Sequence, residues 1–295
     1  MFDKVFLEIT SACNLACAFC PPTRRRAEFL SGERFVLFLA RLAGHTTHLY
    51  FHVKGEPLLH PALGEFLDAA GERGFQATLV TNGTLLADRA EELLSKPNIR
   101  KLCVSLHSHS GSDRAREYWR GIELFLDRHR ASPSFPVSLR LWNRRAELLP
   151  PETAGLWDAL RERFPAVGAW ESAASAGDSL KLDHRVFLNL AEEYAWPSLA
   201  LPQAEERGFC RALRNQVAVL VDGTVVPCCM DGEGAMALGD LGESGLDEIL
   251  VAPRARAIYD GFTARRLAEP LCRTCGYRRR FSRAQDFTRE PRRGS

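Results

Sequence analysis

The chain has 295 residues, 45% hydrophobic and 26% charged, which excludes disordered, collagen-like and coiled-coil proteins and predicts about two domains, or one large α/β domain with an appendage. Lys and Arg number 39 against 37 Asp and Glu, and a net charge of +2 suits neither a dedicated nucleic-acid binder nor an acid-loving surface. No apolar run approaches the roughly 18 residues of a membrane span, and the opening MFDKVFLEIT lacks the order of a secretory signal, so a cytoplasmic protein is expected.

In chain order, the N-terminal half alternates strand-like and helix-like segments. Strands are predicted at Lys4–Thr10, His48–Lys54, Gln76–Asn82, Lys101–His107 and Val137–Trp142. Ser31 caps a helix through Phe35, Leu39 and Leu42, and Pro61 starts one through Leu63, Phe66 and Leu67 that Gly74 ends. Such βα repeats imply a parallel sheet with right-handed crossovers. Most parallel strands are apolar on both faces, whereas these alternate: Val5, Leu7 and Ile9 with Phe6, Glu8 and Thr10, or Leu102, Val104 and Leu106 with Cys103, Ser105 and His107. One face packs on helices and the other lines a cavity, as in a curved, barrel-like sheet. Ligands of α/β folds bind at the carboxyl ends of such strands, which nominates Glu8, Thr10, His52, Lys54, Asn82, Ser105, His107 and Arg140. Mutual pairing among these buried polar groups is the alternative. Arg24-Arg25-Arg26 could clamp an anionic substrate or stand in solvent.

The βα rhythm weakens after Pro150-Pro151, which closes a first domain over residues 1–150. A helix is predicted over Pro151–Phe164, but Ala173–Gly208 carries mixed signals, so 151–208 reads as a linker or bridging region. Gln216–Leu220 and Thr224–Pro227 form a hairpin around Asp222-Gly223, inside a second domain spanning 209–277. The Arg-rich tail, 278–295, is expected to fray or lie on the surface.

Nine cysteines in a chain without an export signal point to metal or redox chemistry rather than disulfides. Cys13, Cys17 and Cys20 read C-x-x-x-C-x-x-C. Structural zinc and ordinary cubane clusters want four ligands, so three thiolates leave one corner open for something reactive. A second set, Cys210, Cys228, Cys272 and Cys275, offers four thiolates, suited to an iron–sulfur cluster or a zinc knuckle. Cys229 is a spare beside Cys228, and Cys103 stands alone as a buried thiol.

The run Cys13-Asn14-Leu15-Ala16-Cys17-Ala18-Phe19-Cys20 resembles the cluster motif of radical S-adenosylmethionine (SAM) enzymes, including the aromatic residue before the third cysteine. Lys54-Gly55-Glu56-Pro57 is similar to that family's Gly-Gly-Glu-Pro segment, with Lys54 in place of the first glycine. The resemblance implies a partial (β/α) barrel and a [4Fe-4S] cluster on Cys13, Cys17 and Cys20, whose fourth iron SAM chelates. It also implies Gly55 and Glu56 at the cofactor's amino group, Phe19 against its adenine, and polar strand-end residues, Asn82, Ser105 and Arg140, at its carboxylate and ribose. Cys210, Gly223 and Cys228, followed by Leu238-Gly239-Asp240-Leu241 and Cys272/Cys275, resemble the auxiliary-cluster domain called SPASM or, when shortened, twitch. With no cysteine beyond Cys275, one auxiliary cluster is expected, most simply [4Fe-4S].

The expected activity is hydrogen-atom abstraction by a 5′-deoxyadenosyl radical, supported by a flavodoxin- or ferredoxin-type electron donor. A fully ligated second cluster suits it to accept an electron, which favours two-electron oxidation. Radical epimerisation would instead need a hydrogen donor, for which Cys229 is the candidate. The first strand begins within a few residues of Met1, which favours a sugar- or aminocyclitol-like small molecule over a peptide held by a fused recognition domain. A peptide-modifying maturase and a non-enzymatic iron–sulfur electron carrier are the competing readings.

Overall fold

Alternation along the first strand separates two environments. In β1 (Lys4–Leu7), Val5 and Leu7 join the main core with Phe35 and Leu39 of the first helix, whereas Phe6 belongs to a second small cluster with Val53, Ala218 and Leu220. The same two-sided pattern repeats across the sheet and leaves an interior face free to line a cavity. The structure, a computed structural model, describes residues 1–109, 115–146, 148–171, 178–202 and 205–281. The expected basic tail beyond residue 281 lies outside the described residues.

Ten strands form one sheet in the order β10-β9-β8-β1-β2-β3-β4-β5-β7-β6. After β1 come β2 (His48–Tyr50), β3 (Gln76–Thr81), β4 (Ile99–Ser105) and β5 (Val137–Arg144), all parallel. Helices α1 (Gly32–Leu42), α2 (Leu63–Glu72), α3 (Ala90–Leu94) and α4 (Ala115–Ala131) provide the crossovers. The Ser31 hydroxyl accepts from the Arg34 amide at 3.3 Å, capping α1 as expected. Gly74, at φ +79°, turns the chain after α2.

Between residues 151 and 208 the structure differs from the linker expectation. Helices α5 (Ala154–Arg163) and α6 (Pro165–Glu171) lead to β6 (Ser179–Asp183) and β7 (Val186–Glu192). β7 pairs parallel with β5, extending the partial barrel to six parallel strands, while β6 caps its edge antiparallel. Val186, Leu188 and Leu190 are the buried, alternating residues that hold β7 in place.

The sheet is also extended from its other side. β8 (Gln216–Val219) lies parallel to β1, and β9 (Thr224–Val226) returns antiparallel through Gly223, at φ +92°, to meet β10 (Gly239–Asp240). The hairpin read from Asp222-Gly223 is therefore present, and it brings the C-terminal cysteines to the barrel. Helices α7 (Leu246–Val251), α8 (Pro253–Thr263) and α9 (Pro270–Arg273) complete this region. Among the described residues no helix is long and apolar enough to cross a membrane.

Candidate active site

The loop after β1 is fastened by its own polar side chains. Thr10 Oγ1 donates to the Glu28 carbonyl at 2.7 Å and accepts from the Ala12 amide at 3.0 Å, while Ser11 Oγ donates to the Arg26 carbonyl at 3.0 Å. Gly55, at φ +73°, approaches so closely that a Cβ there would lie 2.2 Å from the Thr10 carbonyl oxygen. Only glycine fits that position.

Each thiol of the loop then meets the end of a different strand. Lys54 Nζ, after β2, lies 3.7 Å from Cys20 Sγ and donates to the Pro21 carbonyl at 2.6 Å. Asn82, after β3, directs its amide to Asn14 Oδ1 at 2.8 Å and to Cys13 Sγ at 3.9 Å. Past β4, the Ser108 carbonyl accepts from Cys17 Sγ at 3.8 Å. Burial pushes the Cys13 and Cys17 thiols above their ordinary range, and neighbouring thiols add to the shift.

All three thiols line one cavity of about 700 Å³, inside the size range of small-molecule sites. Phe19, Gly55, Ser105 and Arg140 line it as well. Phe19 rests with its ring centroid 4.6 Å from that of His107. Lys4, His52 and Trp142 form further parts of the wall. From the C-terminal half come Tyr194, Trp196, Cys229 and Tyr277, of which only Cys229 had been singled out from sequence. The cluster of aromatic residues in the otherwise polar stretch Glu192–Trp196 was the available signal.

Two expected cofactor residues stand behind this wall instead of in it. Glu56 is 1% exposed, and its two carboxylate oxygens accept from the Leu58 amide at 3.0 Å and the Asn82 amide at 2.6 Å. Burial nevertheless raises its carboxyl above the usual carboxylate range. Asn82 is occupied by the thiol loop and by Thr84, whose amide donates to its Oδ1 at 3.0 Å. Both residues brace the loop here, and a carboxylate with about four lone-pair sites retains capacity for a further donor.

Glu8 and the arginine run also differ from expectation. Glu8 is fully buried and takes a bidentate pair from Arg25, both contacts at 2.7 Å, plus the amides of Lys54 and Val221 at 2.9 Å. The carboxylate ties β1, β2 and the C-terminal hairpin together, and both terminal nitrogens of Arg25 are spent on it. Four donors meet its two oxygens, so the buried carboxyl group keeps its hydrogen-bond partners.

Cys210, Cys228, Cys272 and Cys275 line a second, small cavity. Burial pushes Cys210 to about 11 and Cys228 and Cys272 further up, and the other thiols of the set raise all three. Four thiols lining one cavity, with no Asp or Glu among its lining residues, fit an iron–sulfur centre. The thiolate forms become stable once such a centre supplies positive charge. Among the described residues, no three His, Cys, Asp or Glu side chains are drawn tightly enough together to hold a single metal ion. Met230 and Tyr277 border both cavities and form the partition between them.

The start of the expected surface tail is part of this partition. Tyr277–Phe281 forms a turn of 3₁₀ helix, and Arg278 is 2% exposed with its Nε donating to the Cys272 carbonyl at 3.2 Å. Glu205 accepts from the Arg278 guanidinium. A buried, paired arginine next to the cysteines corrects the reading of residues 278–281 as a fraying segment.

Residues 7–139 match the Radical SAM superfamily, and residues 210–276 match the SPASM iron–sulfur cluster-binding domain. The chain is 29% identical over 147 residues to the GTP 3′,8-cyclase of Chlorobaculum tepidum, covering 46% of this chain and 44% of that protein. It thus spans less than half the length of the first curated relatives it matches. A longer alignment, 21% identical over 257 residues, covers 84% of this chain and 82% of the S-adenosyl-L-methionine-dependent 2-deoxy-scyllo-inosamine dehydrogenase of Niallia circulans. Among solved structures, BtrN in complex with AdoMet and 2-DOIA superposes with a TM-score of 0.58 at 19% identity, covering 93% of each chain. SuiB of Streptococcus suis, bound to precursor peptide SuiA, gives 0.59 at 17% identity, covering 94% of this chain and 70% of that one.

Proposed function

Because the chain belongs to the radical SAM superfamily and carries a SPASM iron–sulfur domain, we propose that it oxidises a sugar- or cyclitol-like small molecule by two electrons. The cofactors of these two domains are SAM and [4Fe-4S] clusters. In this reading Cys13, Cys17 and Cys20 hold the cluster that, with SAM, supplies a 5′-deoxyadenosyl radical able to take a hydrogen atom from carbon. Cys210, Cys228, Cys272 and Cys275 hold a second cluster that supplies an electron sink.

The chain's own side chains contribute position and seclusion. Phe19 offers an apolar face for adenine, Ser105 and Arg140 offer donors for the cofactor's carboxylate or ribose, and Glu56 offers an acceptor for its amine. Gly55 lets its segment pack against the Thr10 and Ala12 carbonyls and so holds the thiol loop in place. Trp142, Tyr194, Trp196 and Tyr277 exclude water from the cavity. A flavodoxin- or ferredoxin-type protein is the proposed source of the priming electron.

The observation that carries the oxidation reading is the partition. Met230 and Tyr277 border both the ligand cavity and the cavity of the four cysteines, so an electron leaving a bound substrate has an acceptor one side chain away. The similarity over 84% of the chain to a SAM-dependent dehydrogenase supports the same chemistry. Cys229 favours a second reading, epimerisation, because its protonated thiol lines the ligand cavity.

Anaerobically reconstituted protein, reduced with dithionite in D₂O and given SAM with a panel of sugars and cyclitols, separates the two. Oxidation yields a product lighter by two hydrogens, equimolar with 5′-deoxyadenosine. An isomeric product carrying one solvent deuterium on carbon would instead establish epimerisation.

A further inference from the structure

We infer that the substrate is an acid, whose carboxylate or phosphate oxygen is received by Lys4 and His52 where they border Arg140; this rests on the radical-enzyme reading and adds the substrate's charge to it.

The cavity wall has a one-sided charge. Lys4, Lys54 and Arg140 line it, and no Asp or Glu does among the described residues. Lys54 is engaged by Pro21 and Cys20 and stands 5.1 Å from the Trp196 ring centroid, so its charge is directed at the thiol loop. The charge on Lys4 has no such use. Its ammonium lies 5.4 Å from the ring centroids of both Phe6 and Tyr50, with no hydrogen-bond or carboxylate partner among the described residues.

Two further polar atoms of the same region lack a partner. His52 Nδ1 and Arg140 Nε are buried and unbonded. His52 feels the charges of both Arg140 and Lys4, which places the three groups within electrostatic reach of one another. Buried polar atoms such as His52 Nδ1 and Arg140 Nε ordinarily find partners, and the partly buried Lys4 ammonium near them has none among the described residues. One oxyanion between Lys4 and His52 satisfies the ammonium and the imidazole together and turns the repulsion among the cations into attraction.

The corner is separate from the thiol loop along the strand. From Lys4 to Thr10 the extended chain advances by about 20 Å, so a group held by Lys4 is distinct from one held beside Cys13. Phe6 and Tyr50 stand beside the Lys4 ammonium and Trp142 beside the Arg140 guanidinium, so the corner has aromatic walls. A basic amine, in contrast, would meet three cations and no carboxylate in this wall.

The test is calorimetry on the full-length, reconstituted, SAM-loaded protein without reductant, using four probes on one skeleton: gluconate, glucose 6-phosphate, glucose and glucosamine. One or both anions are expected to bind at least about tenfold more tightly than glucose and glucosamine, and the better of the two identifies carboxylate or phosphate as the source. Lys4→Met should weaken the anion by about tenfold or more while SAM affinity changes less than about twofold. Should Lys4→Met fail to fold, His52→Gln takes the same readings. The proposal is overturned if neither anion binds, if glucosamine binds as well as they do, if the variants leave anion binding unchanged, or if SAM affinity falls in parallel. Failure of the radical-enzyme reading is read separately, as absence of 5′-deoxyadenosine from reduced wild type that still selects the anion.

Discussion

Cys228 and Cys229 are consecutive in the chain, yet their thiols face different cavities: Cys228 faces the small one with Cys210, Cys272 and Cys275, and Cys229 the large one with Cys13, Cys17 and Cys20. The pair lies in the bend and turn just after β9, between the two cavities. One residue therefore belongs to the proposed electron acceptor and its neighbour to the ligand chamber. Burial raises the Cys229 thiol to about 12, so it stays protonated at neutral pH.

From this follows a contrast in iron content. Cys228→Ala should halve the iron and sulfide of the reconstituted protein, whereas Cys229→Ala should leave both unchanged. Equal iron loss in the two variants would show that Cys229 is a ligand.

Glu56 has two duties to test at once. Glu56→Gln turns one acceptor oxygen into an amide nitrogen facing a backbone N–H, which should cost about 1–3 kcal/mol of stability. It should also weaken SAM binding about ten- to a hundredfold. Thermal unfolding and SAM titration read the two separately, and unchanged SAM affinity would leave Glu56 with the bracing role alone.

The arginine run divides sharply. Arg25→Met strands the fully buried Glu8 carboxylate and should cost about 3–5 kcal/mol in denaturant unfolding. Arg26→Gln, with an exposed side chain, should stay within about 0.5 kcal/mol of wild type. Equal effects would mean that the Glu8 pair contributes nothing beyond a surface ion pair.

Acid should weaken the fold through buried histidines. Burial, with Arg140 and Lys4 adding to it, lowers His52 to about 3, and burial likewise lowers His107 to about 4. An unfolded imidazole titrates near about 6.5, so between that pH and about 4 the unfolded chain binds more protons. The contribution is complete above about 6.5 and is lost as the pH falls below it, by about 2 kcal/mol per imidazole from pH 7 to pH 5. Denaturant unfolding across that range should show the slope, and His107→Gln should flatten it. A variant slope equal to wild type would contradict the assignment.

The parallel strands were legible because their apolar residues alternate, as Val5 and Leu7 do against Phe6, and the Cys13, Cys17, Cys20 grouping was legible because its spacing is local, whereas Cys210, Cys228, Cys272 and Cys275 come to one cavity from distant parts of the chain. β7 was not. Its alternation, Val186, Leu188, Leu190, is short and sits in a segment whose other signals conflict, and only pairing with β5 fixes it as the sixth parallel strand. Tyr194, Trp196 and Tyr277 reach the ligand cavity through tertiary contacts with a barrel far away in sequence, which periodicity cannot register. Glu8 read as a strand-end ligand candidate because its partners Arg25 and Val221 are brought to it only by the folded chain. Lys54, in a position the family motif gives to glycine, proved to contact Cys20 and Pro21.

Assignment of the SAM-cleaving cluster to Cys13, Cys17 and Cys20 underlies the proposed radical chemistry. It is tested most directly by measuring 5′-deoxyadenosine, by chromatography, from dithionite-reduced, anaerobically reconstituted wild type and from the triple variant with all three cysteines changed to Ala. Wild type should yield 5′-deoxyadenosine and the variant none, while the variant keeps its fold and the iron of its C-terminal site. Cleavage of SAM at wild-type rate by the triple variant would contradict the assignment.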